Sequence, residues 1–153
     1  MNFARPSEIF YAGKWHKVSN EQSFDVFNPA TAQVYTQVAD ASLEDVKSAI
    51  SAASAASDGW AGLSAARRAG YLLKAADIMA ERQQDFVDAL IKEGGSWVGK
   101  AMFETGYTVE ALRVAAAMVF HMNGEVMPSE HGKVSMVIRQ PLGVVSVISP
   151  WNF

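Results

Sequence analysis

The sequence predicts an α/β chain in which short hairpins lead into long helices and then into a strand of a parallel sheet. The strand is predicted at residues 143–148, which are almost continuously apolar, as is typical of a strand covered on both faces. Helices are predicted because apolar residues recur at three- and four-residue intervals over 43–57, 65–93 and 98–122. Before residue 40, two segments alternate apolar and polar residues between turn residues, which indicates hairpins.

Two hairpins open the chain. The first is predicted over residues 9–18, with Gly13 at a tight turn that requires a positive φ. The second is predicted over residues 24–38, because Asn28-Pro29 is a typical turn sequence and the residues after it alternate. The surface that covers these hairpins must lie elsewhere in the protein.

The helical segments carry start and stop signals. Ser42, with Asp45 three residues later, resembles a capping box and predicts the first helix start. The second segment begins after Ser64 and is interrupted near Glu81 before it resumes. It stops at Gly94-Gly95, because a glycine just after a helix accepts the left-handed conformation.

The last part of the chain is predicted to contain two strands. A turn-rich link over residues 125–132 leads to an alternating strand at 133–140, and Pro141 separates it from the apolar run. A parallel neighbour for that run needs a crossover of about a dozen or more residues, and none follows Phe153. We therefore expect the chain to be the front part of a larger protein.

The composition excludes several classes of function. With 153 residues, half of them hydrophobic, and a net charge of −3, the chain has the balance of a globular domain. Because it has no cysteine, disulfides, thiolate metal sites and a thiol nucleophile are excluded within these residues. The histidines His16, His121 and His131 have no ligand spacing, so no metal is expected. Nothing resembles a basic patch, a secretory signal or a membrane span, so we expect no nucleic-acid or membrane partner and a cytoplasmic location.

The turn after the apolar run is the strongest candidate for chemistry. Ser149-Pro150 restricts the backbone, so Trp151 and Asn152 leave the end of the strand in a defined direction. Ligands of open α/β sheets bind beyond the carboxyl ends of the strands. The Asn152 carboxamide offers two N–H donors that do not titrate, which suits an oxyanion. Considered alone, the same residues are also explained by an ordinary turn from a strand into a loop.

The sequence resembles the aldehyde dehydrogenase superfamily from the first hairpin to the last residue. The similarity lies in the order and spacing of several motifs, and it identifies the chain with an N-terminal fragment of that family's α/β fold. The motifs are Tyr11-Ala12-Gly13-Lys14-Trp15, Phe27-Asn28-Pro29-Ala30-Thr31, Ala41-Ser42-Leu43-Glu44-Asp45-Val46, Trp60, Glu93-Gly94-Gly95, Lys100-Ala101, Glu104, Pro141-Leu142-Gly143-Val144-Val145 and Ile148-Ser149-Pro150-Trp151-Asn152-Phe153.

The resemblance implies oxidation of an aldehyde to a carboxylic acid with NAD or NADP. In the family, a cysteine thiolate attacks the aldehyde, and an asparagine amide and a backbone N–H hold the oxyanion. Hydride then passes to the cofactor, and a water activated by a glutamate hydrolyses the thioester. Asn152 falls on the oxyanion asparagine. The segment beside the nicotinamide corresponds to Ile148, Ser149, Pro150 and Trp151.

Two aromatic residues carry what the resemblance implies about the substrate. Phe103 and Tyr107 align with positions that line the family's substrate tunnel, although packing in a core explains them nearly as well. The sequences of residues 93–96 and 132–135 are similar to those of bacterial enzymes that act on aromatic aldehydes such as benzaldehyde or vanillin. Phe103 and Tyr107 are compatible with a flat, aromatic aldehyde but do not select one.

The resemblance also implies a division of the chain and an oligomer. Residues 1–132 correspond to the N-terminal part of the cofactor-binding domain, and 142–153 to the first strand of the dinucleotide-binding sheet and its turn. Residues 133–141 resemble the arm that joins subunits in dimers and tetramers, so a homo-oligomer is expected. An ordinary edge strand is the alternative for this segment.

The family's nucleophile, general base and glycine-containing cofactor loop are not found in these residues. An oxyanion donor stabilises nothing when no nucleophile forms the intermediate, so the 153 residues alone are expected to be inactive. The first hypothesis is the N-terminal portion of an NAD(P)-dependent aldehyde dehydrogenase. The second is a truncated, non-enzymatic paralogue that acts as an oligomerisation or interaction module.

Overall fold

The computed structural model describes residues 8–150 and contains four α-helices and three β-hairpins within that range. The strands are β1 (Glu8–Tyr11), β2 (Lys14–Lys17), β3 (Ser23–Asn28), β4 (Gln33–Ala39), β5 (Glu125–Met127) and β6 (Ser135–Val137). The helices are α1 (Leu43–Ala61), α2 (Ala65–Glu81), α3 (Gln83–Gly94) and α4 (Val98–Met118), and a single 3-10 turn (Val119–His121) follows α4. The predicted mixture of helix and strand is therefore confirmed.

The two N-terminal hairpins form where the sequence predicts them. Strands β1 and β2 pair antiparallel, and Gly13 in their turn has φ +74°. Strands β3 and β4 also pair antiparallel, with a β-bulge between Val26 and Phe27. The turn that joins them is held by the Asn28 side-chain oxygen, which accepts a hydrogen bond from the Ala30 N–H at 2.9 Å.

The helix boundaries follow the predicted signals. Helix α1 starts with a complete capping box between Ser42 and Asp45. The interruption predicted near Glu81 lies at Arg82, whose φ and ψ of −105° and 19° separate α2 from α3. Helix α3 ends at Gly95, which adopts the left-handed conformation with φ +66°. The second predicted helical segment is thus two helices with a break at one residue.

The core lies where α4 packs against α2 and α3. Small residues dominate it, and such residues allow close approach of neighbouring helices. The buried apolar side chains on these helices are Ala69, Ala76, Val87, Ala101, Val109 and Ala116. The helical layer is therefore the best-packed part of the described chain.

The C-terminal part differs from the prediction. Strand β6 forms within the predicted strand at 133–140, but it pairs with β5, which the sequence did not predict. The strand predicted at 143–148 is not formed, and the three sheets of the described residues are antiparallel hairpins. A β-ladder needs a neighbouring strand to satisfy its N–H and C=O groups, and residues 8–150 place none beside this segment. The place of residues 143–148 in a parallel sheet of the complete protein stays a prediction.

Candidate functional site

A cavity of about 500 Å³ lies between α2, α3, α4 and the segment that follows Gly143. One part of its wall is apolar and comes from α2, α3 and α4, with Met79, Phe86, Leu90 and Ala111. The other part carries hydroxyl and charged groups from Glu93, Lys100, Glu104, Thr105, Tyr107, Thr108 and Ser149. Small-molecule sites have this combination of an apolar wall and a few polar groups, and a volume in this range.

Helix α4 supplies most of the polar wall because of its periodicity. Residues 100, 104, 108 and 111 are three or four positions apart and therefore share one face of the helix. Tyr107 lies beside this face and also lines the cavity. The orientation of α4 is fixed by Thr105, which is buried and accepts a hydrogen bond from Gln83 Nε2 of α3 at 3.1 Å.

An ion pair lies in the polar wall. Lys100 Nζ donates to Glu104 Oε1 at 2.8 Å, across one turn of α4. The Glu104 side chain is only 14% exposed. Its second oxygen, Oε2, is buried without a hydrogen-bond partner in the described part of the chain. Sequence reasoning gave this pair no role, although the Lys-x-x-x-Glu spacing is a signal for an ion pair on a helix.

The predicted tunnel residues are neighbours on α4. The rings of Phe103 and Tyr107 stack with centroids 6.0 Å apart and an interplanar angle of 23°. Both side chains are more than half exposed, so they do not belong to the core of the described residues. Tyr107 lines the cavity, whereas Phe103 lies outside its wall.

Of the predicted cofactor residues that the structure describes, only one lines the cavity. Ser149 lines the cavity together with Tyr107. Ile148 is 90% exposed and is not part of the wall, and Pro150 is exposed as well. Trp151 and Asn152 lie outside the described residues. The structure therefore joins one predicted substrate residue with one predicted cofactor residue.

Two other kinds of site are not found in the described residues. Among residues 8–150, no three side chains of histidine, aspartate and glutamate are grouped in a way that could hold a metal ion. None of the helices that the structure describes is both long and apolar enough to cross a membrane. The cavity is thus the main candidate site in the described part of the chain.

A family model and individual relatives of this chain point to the same protein family. The model of the aldehyde dehydrogenase family matches residues 15–153. A vanillin dehydrogenase of Pseudomonas sp. (strain HR199) is 40% identical over 147 residues, which are 94% of this chain and 30% of that protein. The chain spans about 30% of the length of the curated relatives it matches.

Solved structures share the fold of this chain. An NADP-dependent enzyme of E. coli is 28% identical with a TM-score of 0.91, over 96% of this chain and 31% of that one. An NAD-dependent benzaldehyde dehydrogenase from Corynebacterium glutamicum is also 28% identical, with a TM-score of 0.78, over 83% of this chain and 28% of that one. These similarities agree with the fold that the sequence predicts.

Proposed function

The chain belongs to the aldehyde dehydrogenase family, and we propose that the protein which carries it oxidises an aromatic aldehyde to a carboxylic acid with NAD or NADP. One observation carries the proposal. Tyr107, aligned with the substrate tunnel, and Ser149, aligned with the nicotinamide side, line the same cavity although they are 42 positions apart. Substrate and cofactor must meet at one place for a hydride to pass between them.

The cavity supports an aromatic substrate. Its volume of about 500 Å³ is sufficient for a single substituted ring. Phe86 and Leu90 provide apolar surface, and the ring of Tyr107, which stacks on Phe103, lines the same cavity. Relatives named for vanillin and benzaldehyde are consistent with a substrate of this type.

In this proposal, the residues of the chain orient the cofactor and stabilise the negative charge that develops on the substrate oxygen. The Asn152 amide donates a hydrogen bond to the oxygen on which negative charge develops, in the role that the family's asparagine has. The segment of Ile148, Ser149, Pro150 and Trp151 lies against the nicotinamide side of the cofactor site. Ser149 fits this role because its position at the cavity brings the segment within reach of a bound substrate. When bound, NAD or NADP supplies the hydride acceptor.

The remaining assignments follow from family membership. The 153 residues contain no cysteine, so a thiolate nucleophile has to come from residues outside them and the isolated chain is inactive. Residues 133–141, which contain β6, act as an arm between subunits of a homo-oligomer. A cytoplasmic location is part of the proposal.

The proposal is tested on the protein expressed from its complete reading frame. Absorbance at 340 nm reports reduction of NAD or NADP with vanillin, benzaldehyde and an aliphatic aldehyde as substrates. We expect turnover of the aromatic aldehydes, and we expect Asn152→Ala to lower kcat by about 10²–10³-fold, as loss of one oxyanion donor does. Asn123→Ala is the matched control, since Asn123 is an exposed amide after α4, and its kcat should stay close to that of the wild type.

Two outcomes contradict the proposal. If the complete protein is folded but reduces neither cofactor with any aldehyde, the enzymatic function is wrong. If turnover occurs and Asn152→Ala leaves kcat unchanged, the family holds but Asn152 has been given the wrong role.

One observation favours the second hypothesis, an interaction module. Every residue from 121 to 150 is exposed, and Val134, Met136 and Ile138 carry apolar surface along and around β6. Surfaces of this type mark contacts with another chain. A stop codon directly after Phe153 in the reading frame would support this module, whereas a frame that continues into a segment with a cysteine supports the enzyme.

A further inference from the structure

The carboxylate of Asp45 connects two parts of the chain that are far apart in sequence. It accepts hydrogen bonds from the Ser19 backbone N–H, which is 3.1 Å from both oxygens, and from the Ser19 hydroxyl at 3.1 Å. It also accepts the backbone N–H of Ser42 at 2.9 Å and contacts the Ser42 hydroxyl at 2.8 Å. One side chain thus joins the residue after the first hairpin to the start of α1.

This arrangement is more than a capping box. A capping box requires only Ser42 and Asp45, which are three residues apart. Ser19 is 26 residues before Asp45, and its N–H and hydroxyl satisfy acceptor positions that a capping box leaves to water. Val18, directly before Ser19, is fully buried, and Asp45 itself is only 7% exposed. The connection therefore holds the hairpin against the helix through a carboxylate that has little access to water, although Ser19 itself is exposed.

The carboxylate is held by neutral donors. On α1, Glu44 forms an ion pair with Lys47 at 3.8 Å. The connection that contains Ser19 carries Lys17 and Glu21, and Asp40 precedes the helix. Within residues 8–150 no lysine, arginine or histidine forms an ion pair with Asp45. The negative charge is stabilised by N–H and O–H groups and by the N-terminus of α1.

The ionised form of Asp45 fits these donors better than the protonated form. Four contacts converge on Oδ2, and Oδ1 shares the Ser19 N–H; protonation weakens both oxygens as acceptors and places an O–H group beside these donors. Burial raises the pKa of Asp45, but the hydrogen bonds from Ser42 and Ser19 outweigh it and hold the pKa below that of an ordinary aspartate. The contribution to stability is therefore present above the ordinary value and is lost as the pH falls through the lowered one.

We propose that Asp45 is a latch that holds the β1–β2 hairpin and residues 18–19 on α1, and that its neutralisation releases this hairpin while α2, α3 and α4 stay folded. The release is local because the helical layer has its own core, with Ala76, Ala101 and Val109 among its buried residues. Protein segments that depend on few contacts open separately from such a core. The latch does not depend on the proposed enzymatic function.

Amide hydrogen exchange on the full 153-residue chain tests the latch. The opening constant of the Ser19 amide, corrected for its intrinsic exchange rate, is measured between pH 2.5 and 6 and compared with amides in the middle of α2 and α4. In the wild type, opening at Ser19 should increase as the pH falls below about 4, the ordinary range of an aspartate. In Asp45→Asn it should be raised about 10–100-fold at pH 6, since a hydrogen bond to a charged group is lost, and should no longer depend on pH. Protection in α2 and α4 should not change.

Two further variants make the result specific. Ser19→Ala keeps the backbone N–H and removes the hydroxyl, so we expect a smaller increase in opening with the pH dependence retained. Glu44→Gln neutralises an exposed carboxylate in the same turn of α1 and should leave Ser19 as in the wild type. The proposal is overturned if the Ser19 amide stays protected in Asp45→Asn. It is equally overturned if α2 and α4 lose protection together with Ser19, because Asp45 would then support the whole fold.

Discussion

The helical layer of residues 65–118 and the segment of residues 121–150 both carry apolar patterns, but only the helical layer buries part of its apolar residues. Ala101 in the helical layer is completely buried, whereas Leu142 in the segment is 96% exposed. Helix α4 packs against α2 and α3, while within residues 8–150 the only strand partner of β6 is the short strand β5. The comparison shows that a pattern predicts which residues require burial, and that a partner element decides whether they obtain it.

The total solvent-accessible surface of the chain is also larger than that of a compact monomer. The accessible surface is 11,475 Å² for 16.6 kDa, and a compact monomer of that mass is expected to expose about 7,600 Å². The excess contains large apolar side chains such as Val145 and Val147 in the C-terminal segment. Much of the apolar surface of this fold is therefore not covered by the chain itself.

The largest contrast is expected from substitutions at the two extremes of burial. Ala101→Leu adds three carbons where α4 is fully packed, so it should lower the free energy of unfolding by about 1–3 kcal/mol. Leu142→Ala removes a side chain that contacts mainly solvent and should change it by less than about 0.5 kcal/mol. Urea denaturation followed by circular dichroism at 222 nm measures both. Equal effects at the two positions would mean that the segment is packed in solution and that the comparison fails.

A pair of glycines gives the next largest contrast. Gly95 and Gly132 both have a positive φ, of +66° and +80°. A Cβ atom at Gly95 would lie 2.8 Å from Pro29 Cγ, whereas one at Gly132 would have no atom within 4 Å. We therefore expect Gly95→Ala to cost about 1–2 kcal/mol, because backbone strain adds to a contact between the second hairpin and the end of α3. Gly132→Ala should cost about 1 kcal/mol or less, from the backbone alone.

The free energies of unfolding of Gly95→Ala and Gly132→Ala are measured by the same urea denaturation experiment. If Gly132→Ala proved the more damaging of the two, the contact between Pro29 and Gly95 would be unimportant, and the turn after β5 would be more rigid than its exposure indicates.

The elements that sequence predicts well are those whose signals are local. The capping box of Ser42 and Asp45, the break near Glu81 and the stop at Gly95 depend on residues within a few positions, and each is confirmed. The strand at 143–148 depends on a neighbour, and β5 forms only because β6 lies beside it. Periodicity describes one segment at a time, so it cannot predict either of these outcomes.

The candidate site shows the same division. Family resemblance pointed to both Tyr107 and Ser149, but only the structure brings them to one cavity. Of the contacts of Asp45, the sequence predicts the capping box with Ser42, which is local. It does not predict the hydrogen bond from Ser19, which is 26 positions away. The Glu104 oxygen that has no partner within residues 8–150 could not be predicted, because its surroundings depend on how α4 is oriented against α2 and α3.

The smallest effect, and the finest test of the comparison, concerns two ion pairs. Lys100–Glu104 belongs to the helical layer with a Glu104 side chain that is mostly buried, whereas Lys133–Glu130 belongs to the exposed segment. Exposed pairs contribute about 0–0.5 kcal/mol, because water and salt screen the charges and two long side chains must be ordered. A partly buried pair is screened less, so its coupling energy should reach about 1 kcal/mol. Double-mutant cycles with Lys→Ala and Glu→Ala at each pair, at 0.05 M and 0.5 M NaCl, measure both couplings. The coupling energy of Lys133–Glu130 should vanish at the higher salt concentration, while that of Lys100–Glu104 persists. If the coupling energy of Lys100–Glu104 is equally small, this face of α4 is open to water.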